Sequence, residues 1–152
     1  LVQERILRRI REIRSQISSS IILITHDIAV IAEMSDRIAV MYGGQIMEQA
    51  PANDLFDSPC HPYTLGLKNA FPSIRNLHQK LISIPGSPPT LLGAPSSCPF
   101  QERCPFSVEQ CNQKNPENIT IQPLHEVRCV RHGEAPLLRE KASEKETWRS
   151  LN

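Results

Sequence analysis

The sequence contains no long hydrophobic run, few aromatic residues and almost no net charge. No apolar stretch approaches the ~20 residues that a helix needs to cross a bilayer, so no transmembrane segment is predicted. Lys and Arg number 17 against 16 Asp and Glu, for a formal charge of +1, and no basic stripe marks a nucleic-acid-binding face. Of the 152 residues, 39% are hydrophobic and 5% aromatic, whereas 13 are proline. The chain can therefore bury only a lean core, and its later half must be rich in loops.

The N-terminus lacks both an initiator methionine and the features of a signal peptide. From the missing methionine we expect further sequence upstream, and from the missing signal we expect a reducing compartment. Five cysteines are present. In a reducing compartment grouped cysteines bind metal more often than they form disulfides, so these cysteines are candidates for a metal site.

The first 48 residues carry the periodicities of a mixed fold. Isoleucines at spacings of four, three and four predict an amphipathic helix over residues 1–18 that packs on a sheet. The short apolar run Ile21–Ile24 predicts a strand buried on both faces. Asp27 is the expected N-cap of the next helix, and residues 37–48 predict a hairpin with Gly43-Gly44 as its turn. Helix, strand, helix and hairpin together indicate the α/β class.

Beyond Pro51 the sequence changes character. Short helices are expected at residues 52–56 and 62–70. After residue 72, repeated prolines exclude long elements, and we expect mostly loop. The charged residues that follow Gly133 predict a frayed or weakly helical tail.

His26 is the first candidate functional residue. It follows the predicted strand at the carboxyl edge of the inferred sheet, where open α/β sheets bind ligands, although position alone also allows a surface or structural histidine. The surrounding sequence, Ile21-Ile-Leu-Ile-Thr-His-Asp27 and then Ser35-Asp-Arg-Ile-Ala-Val-Met-Tyr42, resembles the switch-histidine region of ABC-transporter ATPases. The resemblance implies that His26 contacts the γ-phosphate of ATP and holds the attacking water and the catalytic carboxylate in place.

The motifs that hold phosphate and magnesium in that family are missing. A phosphate loop needs Gly-x-x-x-x-Gly-Lys-Ser/Thr, but the first glycine is Gly43, downstream of His26. No apolar run ends in the Asp-Glu pair that would hold magnesium and activate water. The resemblance therefore implies the C-terminal portion of an ABC-type (P-loop NTPase) nucleotide-binding domain. The parent would be an ATPase that uses ATP with Mg²⁺, whereas this chain alone is predicted to be inactive.

Two later segments resemble a narrower family. Ser58-Pro-Cys-His-Pro-Tyr-Thr64 and Ile84-Pro-Gly-Ser-Pro-Pro89 are similar to elements of the ATP-binding subunits of oligopeptide and dipeptide permeases. For His61 and Tyr63 within the first segment we expect packing and capping at a helix start. The resemblance implies that the complete subunit couples ATP binding and hydrolysis to peptide transport, with the solute left open between dipeptides, oligopeptides and nickel.

The same resemblance divides the chain into three parts. Residues 1–60 would end the ATPase domain, residues 61–133 would form a small irregular region with cysteines, and residues 134–152 would be a charged tail. The implied partners are a second ABC ATPase subunit and transmembrane permease subunits, with peptide delivered by a binding protein and no nucleic acid. The implied location is peripheral, on the cytoplasmic face of the inner membrane.

Four cysteines form the second candidate site. They are Cys98, Cys104, Cys111 and Cys129, in the pattern C-x5-C-x6-C-x17-C. Zinc sites usually contain a C-x2–4-C pair, which is missing, whereas iron–sulfur clusters accept more varied spacing. In the permease subunits this pattern is associated with a [4Fe–4S] cluster, so the resemblance favours that cluster, with Zn²⁺ as the alternative. His125 or His132 could complete a mixed zinc site, and Cys60 is expected to be an ordinary thiol.

Two other functions remain open from the sequence. The chain could be a stand-alone Cys-rich metal-binding module with a redox-sensing role, or an inactive split-gene remnant. A stable, redox-active segment 61–133 would favour the module, and a stop codon in the upstream reading frame would favour the remnant.

Overall fold

The structure is a computed structural model that describes residues 2–17, 19–70, 81–90 and 92–149. Its helices are α1 (Val2–Gln16), α2 (Ile28–Met34), α3 (Ala52–Asp57), α4 (Pro62–Ala70), α5 (Glu109–Gln113), α6 (Ala135–Ala142) and α7 (Lys145–Arg149). Its strands are β1 (Arg37–Tyr42), β2 (Gln45–Pro51), β3 (Ile119–Gln122) and β4 (His125–Val127). Two short 3₁₀ helices cover Gln101–Arg103 and His132–Glu134. This content agrees with the predicted mixed α/β class.

The four strands form one antiparallel sheet in the order β1-β2-β4-β3. β1 and β2 are the predicted hairpin, and both turn glycines have positive φ (55° and 71°), as a type I′ turn requires. β3 and β4 lie in the segment for which we predicted mostly loop, and there the prediction was wrong. Pro116 and Pro123 flank these short strands and do not interrupt them. Residues 92–100 are irregular as expected, and predictions for residues 72–80 lie outside the described residues.

The N-terminal segment departs from its predicted packing. α1 forms as expected, but Ile6 and Ile13 on its apolar face are 54% and 53% exposed. Residues Ile21–Ile24 form no strand, and Ile22 and Ile24 are 89% and 92% exposed. The predictions of a helix packed on a sheet and of a doubly buried strand were therefore wrong. A strand buried on both faces needs a neighbour on each side, and none of the described residues supplies one.

The shorter helices begin where local signals place them. The Asp27 carboxylate accepts hydrogen bonds from the backbone N–H groups of Ala29 and Val30 at 3.0 and 3.3 Å, so the predicted N-cap of α2 is confirmed. α4 begins at Pro62, where proline costs no helical hydrogen bond. The His61 ring Nδ1 accepts the N–H of the second helical residue at 3.0 Å, which confirms its predicted capping role.

The C-terminal helices complete the main core. Trp148 is 2% exposed, its indole N–H donates to the Ala142 carbonyl at 2.9 Å, and its ring lies edge-on to Phe106. Leu138 and Ala142 are fully buried in the same cluster. The tail was predicted to be frayed or weakly helical, whereas these residues form two helices packed on the core. The many charges between the apolar residues concealed a buried face of four side chains, which are Ala135, Leu138, Ala142 and Trp148.

Candidate functional site

The four predicted cysteines line one small pocket. Cys98, Cys104, Cys111 and Cys129 are each between 6% and 8% exposed and are free thiols. They come from the turn before the first 3₁₀ helix, the end of that helix, α5 and the loop after β4. The fold thus brings together four thiols from separate segments. Metal binding in this pocket stays a prediction.

Backbone amides point at the sulfur atoms. The N–H of Arg131 donates to Cys129 Sγ at 3.4 Å, and the amide two residues after Cys98 and after Cys104 does the same. Each donor therefore belongs to the turn that immediately follows its cysteine. Hydrogen bonds to sulfur are among the interactions that tune iron–sulfur sites, so the local backbone suits thiolate ligands.

Burial favours the protonated form of three of these thiols when no cation is near. Loss of hydration raises the pKa of Cys98 and Cys104, and raises that of Cys129 to about 12. The neighbouring cysteines raise the pKa of Cys104 further. Because the thiolate is the form that binds metal, a metal would have to displace protons, as metal binding to thiols ordinarily does.

The spacing of the sulfur atoms bears on which metal the pocket fits. In a tetrahedral site with Zn–S bonds of about 2.3 Å, the sulfurs lie about 3.8 Å apart. Among the described residues, the one set of three donor atoms mutually within 4.8 Å belongs to a different group, so no three of these four sulfurs meet that limit. The spacing of these sulfurs therefore differs from that of a metal-loaded zinc site, and the enclosed volume is about 10 Å³.

Neither predicted histidine lines the cysteine pocket. His125 Nε2 instead bonds to Glu48 Oε1 at 2.8 Å. His132 Nδ1 bonds to the backbone carbonyl of Cys129 at 2.9 Å and not to a position inside the pocket. The mixed cysteine–histidine zinc site that the sequence allowed is therefore not formed.

A different histidine, His61, contributes to the pocket wall. Its side chain is 1% exposed, and burial lowers its pKa to about 4, so the ring is neutral. One ring nitrogen accepts the N–H of Tyr63, and the ring also bonds to the backbone carbonyl of Arg128, next to Cys129. The sequence indicated a helix cap at His61 but carried no signal for its second contact, which joins segments 67 residues apart.

An aromatic cluster joins the β1–β2 hairpin to this pocket. The Phe100 ring, part of the pocket wall, lies 5.1 Å from the rings of both Tyr42 and Tyr63, measured between centroids. Arg103 lies above the Tyr42 ring at 5.7 Å and donates to the carbonyl of Pro85 at 2.7 Å. The cysteine region is thus packed directly on the hairpin.

A second buried polar group was not predicted from the sequence. Glu48, Cys60 and His125 each offer a donor atom within 4.8 Å of the other two. The Glu48 carboxylate is fully buried and accepts the N–H groups of Cys60 and His61 at 2.7 and 3.0 Å. Burial raises the pKa of the Cys60 thiol to about 11. With each carboxylate oxygen already hydrogen-bonded, this group is a structural junction between β2, the start of α4 and β4.

His26 lies apart from both groups. It is exposed at a bend just before α2, next to the N-cap Asp27. His26 was predicted to follow a strand, but Ile21–Ile24 has no strand partner among the described residues and does not form one. Its role at a phosphate stays a prediction.

Comparison with known proteins finds similarity to one family. Residues 47–111 match the family model described as "Oligopeptide/dipeptide transporter, C-terminal region". The chain is 44% identical over 115 residues to the oligopeptide transport ATP-binding protein OppD of Salmonella typhimurium, covering 76% of this chain and 34% of that protein. It is 38% identical over 129 residues to the dipeptide transport ATP-binding protein DppD of Caldanaerobacter subterraneus (85% and 40%). It is 39% identical over 133 residues to the oligopeptide transport ATP-binding protein AppD of Bacillus subtilis (88% and 40%).

The fold and the pocket define a mixed α/β chain with a cysteine-bearing region built onto an antiparallel hairpin. The chain is similar to the C-terminal region of the ATP-binding proteins of the oligopeptide/dipeptide transporter family, and the predicted resemblance is confirmed. It spans between about a third and two fifths of the length of these relatives. Within the described part of the chain, no helix has the length and hydropathy required to cross a membrane.

Proposed function

We propose that the chain forms the C-terminal part of an ATP-binding subunit that powers peptide uptake by an ABC importer. The observation that carries the proposal is the family match over residues 47–111, with relatives that are named as peptide transport ATP-binding proteins. Residues 1–60 would contribute to the ATPase domain, residues 61–133 would follow as the cysteine region, and residues 134–152 would end the chain. ATP hydrolysis with Mg²⁺ would belong to the complete subunit, because this sequence contains no phosphate-binding loop.

In this role the subunit would pair with a second ATPase subunit around ATP and dock on transmembrane permease subunits. It would lie at the cytoplasmic face of the inner membrane, and peptide would reach the permease through a binding protein. The exposed isoleucines of α1 and of Ile21–Ile24 support the proposal, since exposed apolar surface is available there for a partner to cover.

His26 would act at the γ-phosphate of ATP. An imidazole can donate a hydrogen bond to a phosphate oxygen and stabilise the charge that develops during phosphoryl transfer. Its exposure at the bend before α2 supports this role, because the ring is accessible to a ligand held by other parts of the subunit.

The test is peptide-stimulated ATP hydrolysis by the complete subunit assembled with its permease partners. His26→Ala should lower the rate on the order of tenfold or more while ATP binding is kept. His132→Ala, which removes a histidine of the C-terminal region, is the control and should leave the rate near that of the wild type. Equal rates for the wild type and His26→Ala would contradict the role of His26, and a wild-type assembly without hydrolysis would contradict the transport function.

The four-cysteine pocket would hold a [4Fe–4S] cluster, with Zn²⁺ as the alternative. Four buried thiols that line one pocket and amide donors to three of the sulfurs support this assignment. When bound, the group would supply a cross-link between four segments that share little core.

Metal analysis on protein purified without oxygen tests this assignment. About four irons with matching sulfide per chain would establish the cluster, and about one zinc would establish the alternative. Cys104→Ala should abolish metal binding. Cys60→Ala is the matched control, because Cys60 is buried but does not line the pocket, and it should retain the metal. Absence of any metal, with freely reactive thiols, would contradict both assignments.

A stand-alone metal-binding module is the second candidate, and the gathering of all four thiols within residues 98–129 favours it. The pairing of β4 with β2 argues against it, as does the bond between His125 and Glu48. Because these contacts build the cysteine region onto the hairpin, we expect residues 61–133 to be unstable by themselves.

A further inference from the structure

One lining residue of the cysteine pocket carries a formal charge. It is Arg131, whose side chain is 23% exposed. The other lining residues are the four thiols, apolar or aromatic side chains, one glutamine and the neutral His61. The proposed metal site assigns no role to this cation at the edge of the pocket.

The contacts of Arg131 connect two of the cysteine turns. Its backbone N–H donates to Cys129 Sγ at 3.4 Å, and its guanidinium Nη1 donates to the carbonyl of Phe106 at 3.1 Å. Phe106 lies two residues after Cys104, and its own amide bonds to the Cys104 sulfur. A single residue therefore joins the turn that follows Cys129 to the turn that follows Cys104.

The remaining guanidinium contacts fix its orientation. Nε and Nη2 donate to the two carboxylate oxygens of Glu134 at 2.9 and 2.5 Å, a bidentate pair.

The charge of the metal-loaded pocket explains why a cation at its edge matters. Four thiolates outnumber the positive charge of a zinc ion or of a four-iron cluster core, so the loaded pocket would be anionic with either. An uncompensated buried charge is costly, and groups that contact metal ligands from outside commonly change metal affinity by about 10- to 100-fold.

We infer that Arg131 is the positioning residue of the four-cysteine site, holding the Cys104 and Cys129 turns together and offsetting the charge of their metal-bound thiolates. The inference rests on the proposed metal site. It contrasts with the simpler role of Arg131 and Glu134 as a surface pair at i,i+3, which would contribute little.

The chain offers a matched control for that simpler role. Arg149 and Glu146 form an i,i+3 pair at 2.8 Å with both side chains more than half exposed, and neither lines the cysteine pocket. Arg131→Gln removes charge and contacts, Arg131→Lys keeps the charge but not the forked geometry, and Arg149→Gln removes an equivalent surface pair.

The experiment measures metal release from the 152-residue chain. Each variant is reconstituted without oxygen, in parallel with Zn²⁺ and with ferrous iron plus sulfide, and loss of metal to excess chelator is timed. We expect release from Arg131→Gln to be faster on the order of tenfold, Arg131→Lys to restore part of the difference, and Arg149→Gln to match the wild type. Thermal unfolding of the metal-free variants is measured beside the release rates, which separates a role at the metal from a loss of fold.

The outcomes distinguish this inference from the proposal beneath it. A wild-type chain that holds neither metal would overturn the metal site and the role of Arg131 together. A wild-type chain that holds metal, with Arg131→Gln releasing it at the same rate, would overturn only the role of Arg131. Equal acceleration by Arg131→Gln and Arg149→Gln would also overturn it, because any surface pair would then have the same effect.

Discussion

Replacing Glu48 should destabilise the chain strongly, because one carboxylate joins three segments. Its side chain is fully buried, it accepts the backbone N–H groups of Cys60 and His61 at 2.7 and 3.0 Å, and it bonds to His125 Nε2 at 2.8 Å. These contacts connect β2 to the start of α4 and to β4. Without them, the cysteine region would lose its buried side-chain attachment at Glu48, and the β2–β4 pairing would remain.

The magnitude follows from the groups that each variant leaves behind. Glu48→Ala leaves two backbone N–H groups and one imidazole without an acceptor, at about 1–3 kcal/mol for each unsatisfied group. Loss of one partner of a buried pair costs about 3–5 kcal/mol in total, and we expect a value in that range because water can enter the vacated space. Glu48→Gln keeps the shape, but its NH₂ must face the N–H of either Cys60 or His61, so we expect about 2 kcal/mol.

Urea unfolding at pH 7 measures both changes through the free energy of unfolding. Glu126→Gln is the control, because Glu126 on β4 is only half-buried and bonds to the Gln49 and Asn118 side chains, so its loss should matter far less. The reasoning would be refuted if Glu48→Ala lost less than about 1 kcal/mol, or if Glu126→Gln lost as much as Glu48→Ala.

Three further predictions concern stability. Gly66→Ala should lower the free energy of unfolding by about 1–3 kcal/mol, since the added methyl would lie 2.8 Å from Trp148, whereas Gly133→Ala has open space around it and should be neutral in thermal unfolding. The pKa of His61 falls from 6.5 to about 4 on folding, so the unfolded chain binds more protons between these pH values. The free energy of unfolding should therefore fall by up to about 3 kcal/mol as the pH drops from 6.5 to about 4. Urea unfolding at a series of pH values should show a weaker pH dependence for His61→Gln. Leu124→Gly should raise the Tm and stabilise by about 1 kcal/mol, because Leu124 has a φ of 65°, and a lower Tm would contradict this.

Features that rest on neighbouring residues could be predicted from the sequence. Gly43-Gly44 indicated the hairpin, Asp27 indicated the start of α2, and Pro62 indicated the start of α4, and the structure contains all three. The four cysteines were predicted to meet in space, and they line one pocket. Each of these predictions needed either a local conformational preference or a recognised pattern of residues.

The Glu48 group could not be predicted in the same way. The register of the hairpin shifts between Val40 and Met41, which leaves Met47 as an extra residue on β2. As a result Met47 and Glu48 are both buried, whereas strict alternation would place one of them outside. The partner of Glu48 is His125, 77 residues further along the chain. Neither a bulge nor a contact at that separation leaves a periodic signal in one sequence.

At Ile21–Ile24 the sequence carries a strong strand pattern that the structure does not follow. This difference supports the proposed function. Four consecutive branched apolar residues are typical of a strand covered on both faces, yet in this structure they are between 40% and 92% exposed. The isoleucines on α1 are exposed in the same region of the sequence. None of the described residues covers this apolar segment. Packing of the rest of an ATPase domain against it would explain why the sequence is apolar there.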